Sequence, residues 1–399
     1  MGRAFRDVVD ETVEREAGHM WSVAQDIFEH PEIRFEEERT ADVLRGELAA
    51  GGLEVSLPTE KVPTSFQGAH KTGEGPVIAI LCEYDALPNI GHACGHPIIA
   101  TAGVLAGIAC AHAMDECGIQ GEVRVIGTPA EEDGGGKIAM LDEGCFEGVD
   151  AALICHPTTK MTRVAGACCS SKSLTVIFRG RSAQSESHPD QGINALDAVT
   201  LTQAGIGLCR QQLPDDVHIA SVVSDIAHDI ISIPDHATME FCVSTTGGDA
   251  HLSRGVETVR RVAEGAAHAC ACELEVAEQT EALYLGRLPN ETIGAVMREE
   301  VRAIGEPCQD GLPIDQGGED FGNVSRVVPG EQLFGSLLLE RKVSGHTKEF
   351  LELARGEAGK HCMRMCAMAM ARTALVLMGD PEKVAAAKAE MHKRLAAGE

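Results

Sequence analysis

The 399-residue chain is poor in aromatic side chains and in positive charge. Aromatics make up 3% of it, with one Trp and two Tyr, so its core must be built from Ala, Val, Ile, Leu and Met. Such a core suits helices and buried parallel strands better than an aromatic-rich β-sandwich. Lys and Arg number 34 against 61 Asp and Glu, a formal net charge of -27. So acidic a chain repels nucleic acid and anionic membrane, and no basic run offsets the deficit. The opening residues, MGRAFRDVVDETVERE, lack the apolar core of a secretion signal. No segment reads as the ~20 consecutive apolar residues of a membrane span. A reducing cytoplasm is therefore expected, with the fifteen cysteines mostly free and buried. Cys168-Cys169 and Cys270-Ala-Cys272 lack a second pair at zinc-knuckle spacing and read as ordinary thiols.

What is present points to two domains. Val13, Ala17, Met20, Trp21, Ala24, Ile27 and Phe28 fall at helical spacing, so residues 10–30 read as an amphipathic helix. Three short apolar runs follow, Val77–Leu81, Val123–Ile126 and Ala151–Ile154, separated by helical stretches at Ile98–His112 and Lys137–Cys145. This alternation predicts an α/β domain with a mixed, largely parallel sheet. From Leu174 the pattern becomes strand, helix, strand, strand, helix, strand, an α+β insert. Residues 1–172 and 286–399 are thus assigned to one domain and 173–285 to the insert. Glu291–Ile304, Phe350–Met378 and the tail from Glu382 read as helices of the first domain.

Each of the three apolar runs leads into polar residues: Cys82-Glu83-Tyr84-Asp85, Gly127-Thr-Pro-Ala-Glu131-Glu132 and Cys155-His156-Pro157. In open α/β sheets, ligands bind outside the carboxyl ends of the strands, so these segments should meet in one crevice. His92-Ala-Cys94-Gly-His96 also belongs there, where a thiolate and an imidazole in one turn can face one metal. That donor pair favours zinc, and added carboxylates admit manganese or cobalt. Of Glu131 and Glu132, one can ligate a metal while the other accepts a proton. His156 is a further ligand candidate; His346 becomes one only if the C-terminal part folds back onto the crevice.

The runs Glu83–Pro88, Gly91–His96, Thr128–Gly136 and Cys155–Pro157 occur in an order that resembles the aminoacylase/carnosinase-type metallopeptidases. The likeness is strongest to their amidohydrolase branch, with aminobenzoyl-glutamate hydrolase and hippurate hydrolase. Gly192-Ile-Asn-Ala-Leu-Asp-Ala198, Glu319-Asp-Phe-Gly-Asn-Val-Ser325 and Gly345-His-Thr347 extend it over nearly the whole chain. The resemblance implies a catalytic domain interrupted by a lid that makes at least a homodimer, and a small-molecule substrate. It implies one or two divalent metals (Mn or Zn, with Co as a further option) held by Cys94, His96, Glu132, His156 and His346. It also implies Glu131 as general base to a metal-bound hydroxide that cleaves a C–N bond, and Asp85 as the carboxylate that orients a ligand.

The chain leaves the family pattern in the insert. The family's lid His corresponds to Gln184, and the Arg that ends one lid strand corresponds to Ser244. His228 is an extra polar group in the preceding segment, and these three are the expected substrate-binding residues. Losing an oxyanion donor should cost ~3–4 kcal/mol in amide hydrolysis. Two enzyme readings follow. One is hydrolysis of an N-acyl amino acid or dipeptide. The other is aromatic deamination of the nitroanthranilate aminohydrolase type, which replaces the amino group of 5-nitroanthranilate by hydroxide. A non-catalytic binding protein on this fold is a third reading, opposed by the intact ligand set.

Overall fold

The computed structural model describes residues 3–398 apart from Ala165, His228 and residues 311–316, and leaves the side chains of 278–282 undescribed. The chain divides into two compact units. One comprises Met1–Ala167, Arg287–Asp315 and Glu319–Glu399; the other comprises Cys168–Gly286 and Gln316–Gly318.

The first unit opens with α1 (Phe5–Glu29), α2 (Glu38–Ala50), β1 (Glu54–Ser56), β2 (Phe66–Lys71) and β3 (Val77–Cys82). Then come α3 (His96–Cys117), β4 (Glu122–Gly127), α4 (Gly136–Asp142), β5 (Ala151–Thr158) and β6 (Arg163–Val164). The second unit holds β7 (Ser170–Arg179), α5 (Ala195–Cys209), β8 (His218–Ile226), β9 (His236–Thr245), α6 (Asp249–Cys270) and β10 (Glu273–Tyr284). The chain then returns to the first unit with α7 (Glu291–Ala303), α8 (Phe321–Ser325), β11 (Gly330–Ser336), α9 (Lys348–Arg355), α10 (Glu357–Gly379) and α11 (Pro381–Ala396).

The first unit's sheet runs β1-β2-β4-β3-β5-β11-β6. Its four central strands are mutually parallel, and β1, β2 and β6 pair antiparallel at the edges. The sheet is the mixed, parallel-centred one expected. Ile78, Ile80, Leu81, Val123, Val125, Leu153 and Ile154 are fully buried in it, each worth roughly 1.5–3 kcal/mol against exposure. Helix α3 is apolar on every side from Pro97 to Ala111 because that stretch lies inside this core. It approaches the sheet at two glycines: a Cβ on Gly103 would sit 2.4 Å from the Cys82 sulfur, and one on Gly107 2.1 Å from Val125. By length and composition α3 and α10 could each cross a membrane, which the apolar runs of the sequence did not suggest. Both are mostly buried core helices.

The second unit's sheet, β10-β7-β9-β8, is antiparallel throughout. Leu174, Val176, Phe178, Met239, Phe241 and Val243 alternate onto one buried face, packed with Val199, Ile206, Leu252 and Val259 from α5 and α6. That period of two is the pattern of a sheet with one covered face.

Other sequence expectations change as well. The single helical run Phe350–Met378 is broken at Gly356, whose backbone is extended (φ -89°, ψ -173°) and joins α9 to α10. Strand β11, between β5 and β6, was not expected at all. Its Glu331 and Gln332 are buried, so it carries no apolar run to announce it.

Candidate metal centre and active site

Strand β3 ends in Cys82 and delivers Glu83, Tyr84 and Asp85, all buried. Asp85 is the organising group. Its carboxylate and its carbonyl oxygen both accept from Nδ1 of His96, at 3.1 and 2.9 Å, and its second carboxylate oxygen accepts the Glu132 N–H at 2.9 Å. Burial opposes its charge, yet His96 and these backbone N–H groups hold its carboxyl below the usual range. The Nδ1 bonds fix the orientation of the His96 ring and leave Nε2 as the atom that could take a metal.

That Nε2 is buried without a hydrogen-bond partner, as is Oε1 of Glu132. Three carboxylates ring it: Glu83 at 3.9 Å, Glu131 at 3.7 Å and Glu132 at 3.8 Å. Burial works against charge on His96, but Asp85, Glu132 and Glu83 together push it up to about 10. The centre is thus short of positive charge and has orphaned ligand atoms, and a divalent cation answers both needs.

His156 lies within β5. Its Nδ1 donates to the Pro157 carbonyl at 2.7 Å, which leaves Nε2 3.3 Å from Sγ of Cys94. His346 sits in the left-handed region (φ 59°), its N–H donating to the Ala93 carbonyl at 3.0 Å, and its Nε2 lies 3.3 Å from Glu132. The ligand atoms of Cys94, His96 and His156 lie within 4.8 Å of one another, and so do those of Cys94, Glu132 and His346. Cys94 belongs to both groups. Burial, with Glu132 and Glu131 beside it, holds its thiol well above the usual value, so a thiolate there needs a cation. Mixed thiolate, imidazole and carboxylate donors fit zinc, manganese or cobalt.

Glu131 stands beside these groups, its carboxylate within 4.8 Å of the Glu83 and His96 ligand atoms. Burial, then Glu83, Glu132 and Asp320, raise it well above a normal carboxyl, while Lys137 opposes them. Glu132 goes the other way: burial resists, but His346 and His96 lower it. Two adjacent carboxylates thus have opposed proton affinities, the arrangement that separates a proton carrier from a ligand.

The structure therefore gathers Asp85, Cys94, His96, Glu131, Glu132, His156 and His346. Gln184 and Ser244 lie in the second unit, towards opposite ends of its sheet. Ser244 pairs with Ser171 near the start of β7, whereas Gln184 follows the end of β7 and bridges to Ser232. The Gln184 side-chain oxygen accepts from the Glu186 N–H at 3.1 Å and from the N–H and hydroxyl of Ser187, both at 2.5 Å. His228 lies outside the described residues. Sequence reasoning overlooked Lys137 and Glu37. Glu83 and Asp320 were quoted only as parts of motifs. Lys137 Nζ is 2.6 Å from both Glu83 and Asp320, and all three are buried. A Lys directly after three glycines was its one visible signal; nothing marked Glu37.

Residues 80–369 match the model of Peptidase family M20/M25/M40, and the chain belongs to that family. It is a metal-dependent hydrolase. Xaa-Arg dipeptidase of Mus musculus is 29% identical over 98% of this chain and 92% of that one. One of the p-aminobenzoyl-glutamate hydrolase chains of Escherichia coli K12 is 28% identical over 75% of this chain and 65% of its own. A dinuclear metal-binding peptidase of this family from Bacillus subtilis superposes with a TM-score of 0.66 at 22% identity, covering 92% of this chain and 99% of its own. An aminobenzoyl-glutamate utilization protein from Klebsiella pneumoniae gives 0.69 at 18%, over 92% and 98%.

Proposed function

We propose that the protein hydrolyses the amide bond of a dipeptide or N-acyl amino acid, at two metals held by Cys94, His96, Glu132, His156 and His346. The observation that carries this reading is the pair of three-residue ligand groups sharing Cys94, with Glu131 alongside. Zinc or manganese, with cobalt as a substitute, would supply Lewis acidity and activate water. Cys94 belongs to both groups, and His96 and His156 complete one, each aimed by its Nδ1 donor bond. Glu132 and His346 complete the other. Glu131 accepts the proton of the attacking water and passes it to the departing nitrogen, as its raised proton affinity suits. Asp85 fixes the ring of His96 and the loop of Glu131 and Glu132 together.

The relatives narrow the substrates to test first: dipeptides ending in Arg, and aminobenzoyl-glutamate. We assign Gln184, His228 and Ser244 to substrate binding by family resemblance. Strand β7 has ten residues and spans ~30 Å, so Gln184 and Ser244 of one chain stand far apart. A substrate that meets both draws them from two copies, in accord with a homodimer. The exposed Val222 and Val223 on edge strand β8 and the exposed Ile230 and Ile231 after it also support pairing through this unit. Fifteen cysteines, none of them in a disulfide, support a reducing, cytoplasmic setting.

A second reading, aromatic deamination, rests on Gln184. With its side-chain oxygen engaged in a local turn, only the amide N–H₂ of Gln184 remains for a substrate, and an amide cannot carry the charge of an imidazolium. One experiment separates the two readings. The manganese-loaded protein is incubated with an Xaa-Arg dipeptide, aminobenzoyl-glutamate and 5-nitroanthranilate, and the products are identified. Release of free amino acid from the amides is expected. Ammonia from 5-nitroanthranilate with no amide cleavage would overturn the amide reading.

A further inference from the structure

The loop Thr128–Lys137 carries Glu131 and Glu132 and passes through three positive-φ residues, Ala130, Gly134 and Gly135. Ala130 is fully buried at φ 57°, a left-handed conformation costly for a residue with a Cβ. Gly134 and Gly135 also have positive φ, and a Cβ on Gly136 would lie 1.8 Å from the Pro129 carbonyl oxygen. Strained backbone persists only where its surroundings over-determine it.

Three carboxylates from three distant segments supply that constraint, each accepting an N–H of this loop. Glu37, just before α2, accepts from Ala130 at 3.0 Å and from Phe35 at 3.0 Å. Asp85 accepts from Glu132 at 2.9 Å. Asp320, just before α8, accepts from Lys137 at 2.9 Å, and its other oxygen takes the Lys137 ammonium at 2.6 Å. The same ammonium reaches Glu83 at 2.6 Å. Glu37, Lys137 and Asp320 are all completely buried. The side chain of Glu37 makes these bonds with Oε1 alone, and its Oε2 is buried without a partner.

We propose that Glu37 and Asp320 are positioning residues for Glu131. They grip the two ends of its loop, and Lys137 locks the Asp320 end. The proposal rests on the reading of Glu131 as proton acceptor. A displacement of about 1 Å in an acid/base group costs on the order of 100-fold in rate.

The test compares Glu37→Leu, Glu37→Gln, Asp320→Asn and Glu131→Gln with the unmodified protein. It measures kcat and KM on an Xaa-Arg dipeptide, manganese stoichiometry by calorimetry, and amide hydrogen exchange of the 128–137 peptide by mass spectrometry. Glu37→Leu and Asp320→Asn should each lose on the order of 30-fold or more in kcat, with KM within about 3-fold and manganese stoichiometry unchanged. Exchange of the loop amides should quicken in both. Glu37→Gln keeps a carbonyl acceptor and should stay within about 5-fold of the parent kcat. Parent-like kcat and loop exchange in Glu37→Leu overturn the proposal. Should that variant not fold, the near-isosteric Asp320→Asn decides by the same two readouts. If Glu131→Gln keeps more than a tenth of activity, the base assignment fails instead, and loop exchange still tests the anchoring.

Discussion

The two units handle polar groups in opposite ways. The first buries Glu37, Glu83, Asp85, His96, Glu131, Lys137 and Asp320 close to one another behind the carboxyl ends of its strands. Among the described residues, the second buries no charged side chain at all. Its buried polar groups are Ser170, Thr202, Thr245 and Thr258. Thr202 and Thr258 simply donate to the carbonyl one turn back in their own helices. Burying ionisable groups costs several kcal/mol each unless they are paired, and the first unit bears that cost at its candidate site. The second unit exposes large apolar side chains on β8, on the segment after it and on α5 at Leu196, Leu201 and Leu208.

Metal removal should break this comparison most sharply. Dialysis against a chelator is expected to abolish hydrolysis, and added zinc, manganese or cobalt to restore it. The same treatment should lower the melting temperature of the first unit, because a ligand present at ~100 times its Kd stabilises by ~2.7 kcal/mol. Full activity after exhaustive chelation, with metal absent by mass spectrometry, would remove the metals from the proposed mechanism.

Glu131→Gln comes next. It should retain metal and lose ~100- to 10,000-fold in kcat, the usual contribution of a positioned acid/base group. More than a tenth of the parent activity would sink its assignment as base.

A smaller effect is expected in the second unit. Replacing Val222 and Val223 by Glu places charge on the exposed edge of β8. The variant should shift to monomer in sedimentation analysis, with the fold of each unit kept. An unchanged mass would move the interface away from that edge and leave its apolar residues without an explanation.

The sequence made much of this legible. Helices α1, α3, α4, α5, α6, α7 and α11 and strands β3, β4, β5, β7, β8, β9 and β10 were expected from the sequence, most of them from period 3.6 or short apolar runs. Polar residues at three strand ends, with Cys94 and His96, located the crevice because topology alone brings those ends together. What stayed hidden has a common cause. Glu37, Lys137, Asp320 and Glu331 are charged residues that look solvated in sequence and are completely buried in the fold. Lone carboxylates and lysines are almost never inside, so periodicity arguments assign them to the surface. Strand β11 was missed for the same reason. The departures at Gln184 and Ser244 were visible only against the family pattern, and each side chain's surroundings needed the fold.

Glu331 provides the finest test, because it is a fully buried carboxylate of the first unit that lies off the catalytic cluster. It pairs with Leu153 on β5, three residues before the His156–Phe334 pair, which is ~10 Å along a strand. It accepts the Asn290 N–H at 3.0 Å and its neighbour Gln332's N–H at 3.1 Å. Burial raises it from 4.5 to about 8, although Arg287 and these N–H groups pull it down. A carboxyl raised on folding binds its proton more tightly in the native state than in the unfolded chain. Its contribution is therefore complete below about 4.5 and is lost as pH rises through about 8. Glu331→Gln keeps the shape and removes the titration. Between pH 5 and pH 9 its melting temperature should fall less than the parent's, by on the order of a few °C, with activity unchanged. Parallel curves would show that Glu331 is already charged when folded. A loss of activity with them would tie this strand to the catalytic cluster and erase the distinction between structural and chemical burial within the first unit.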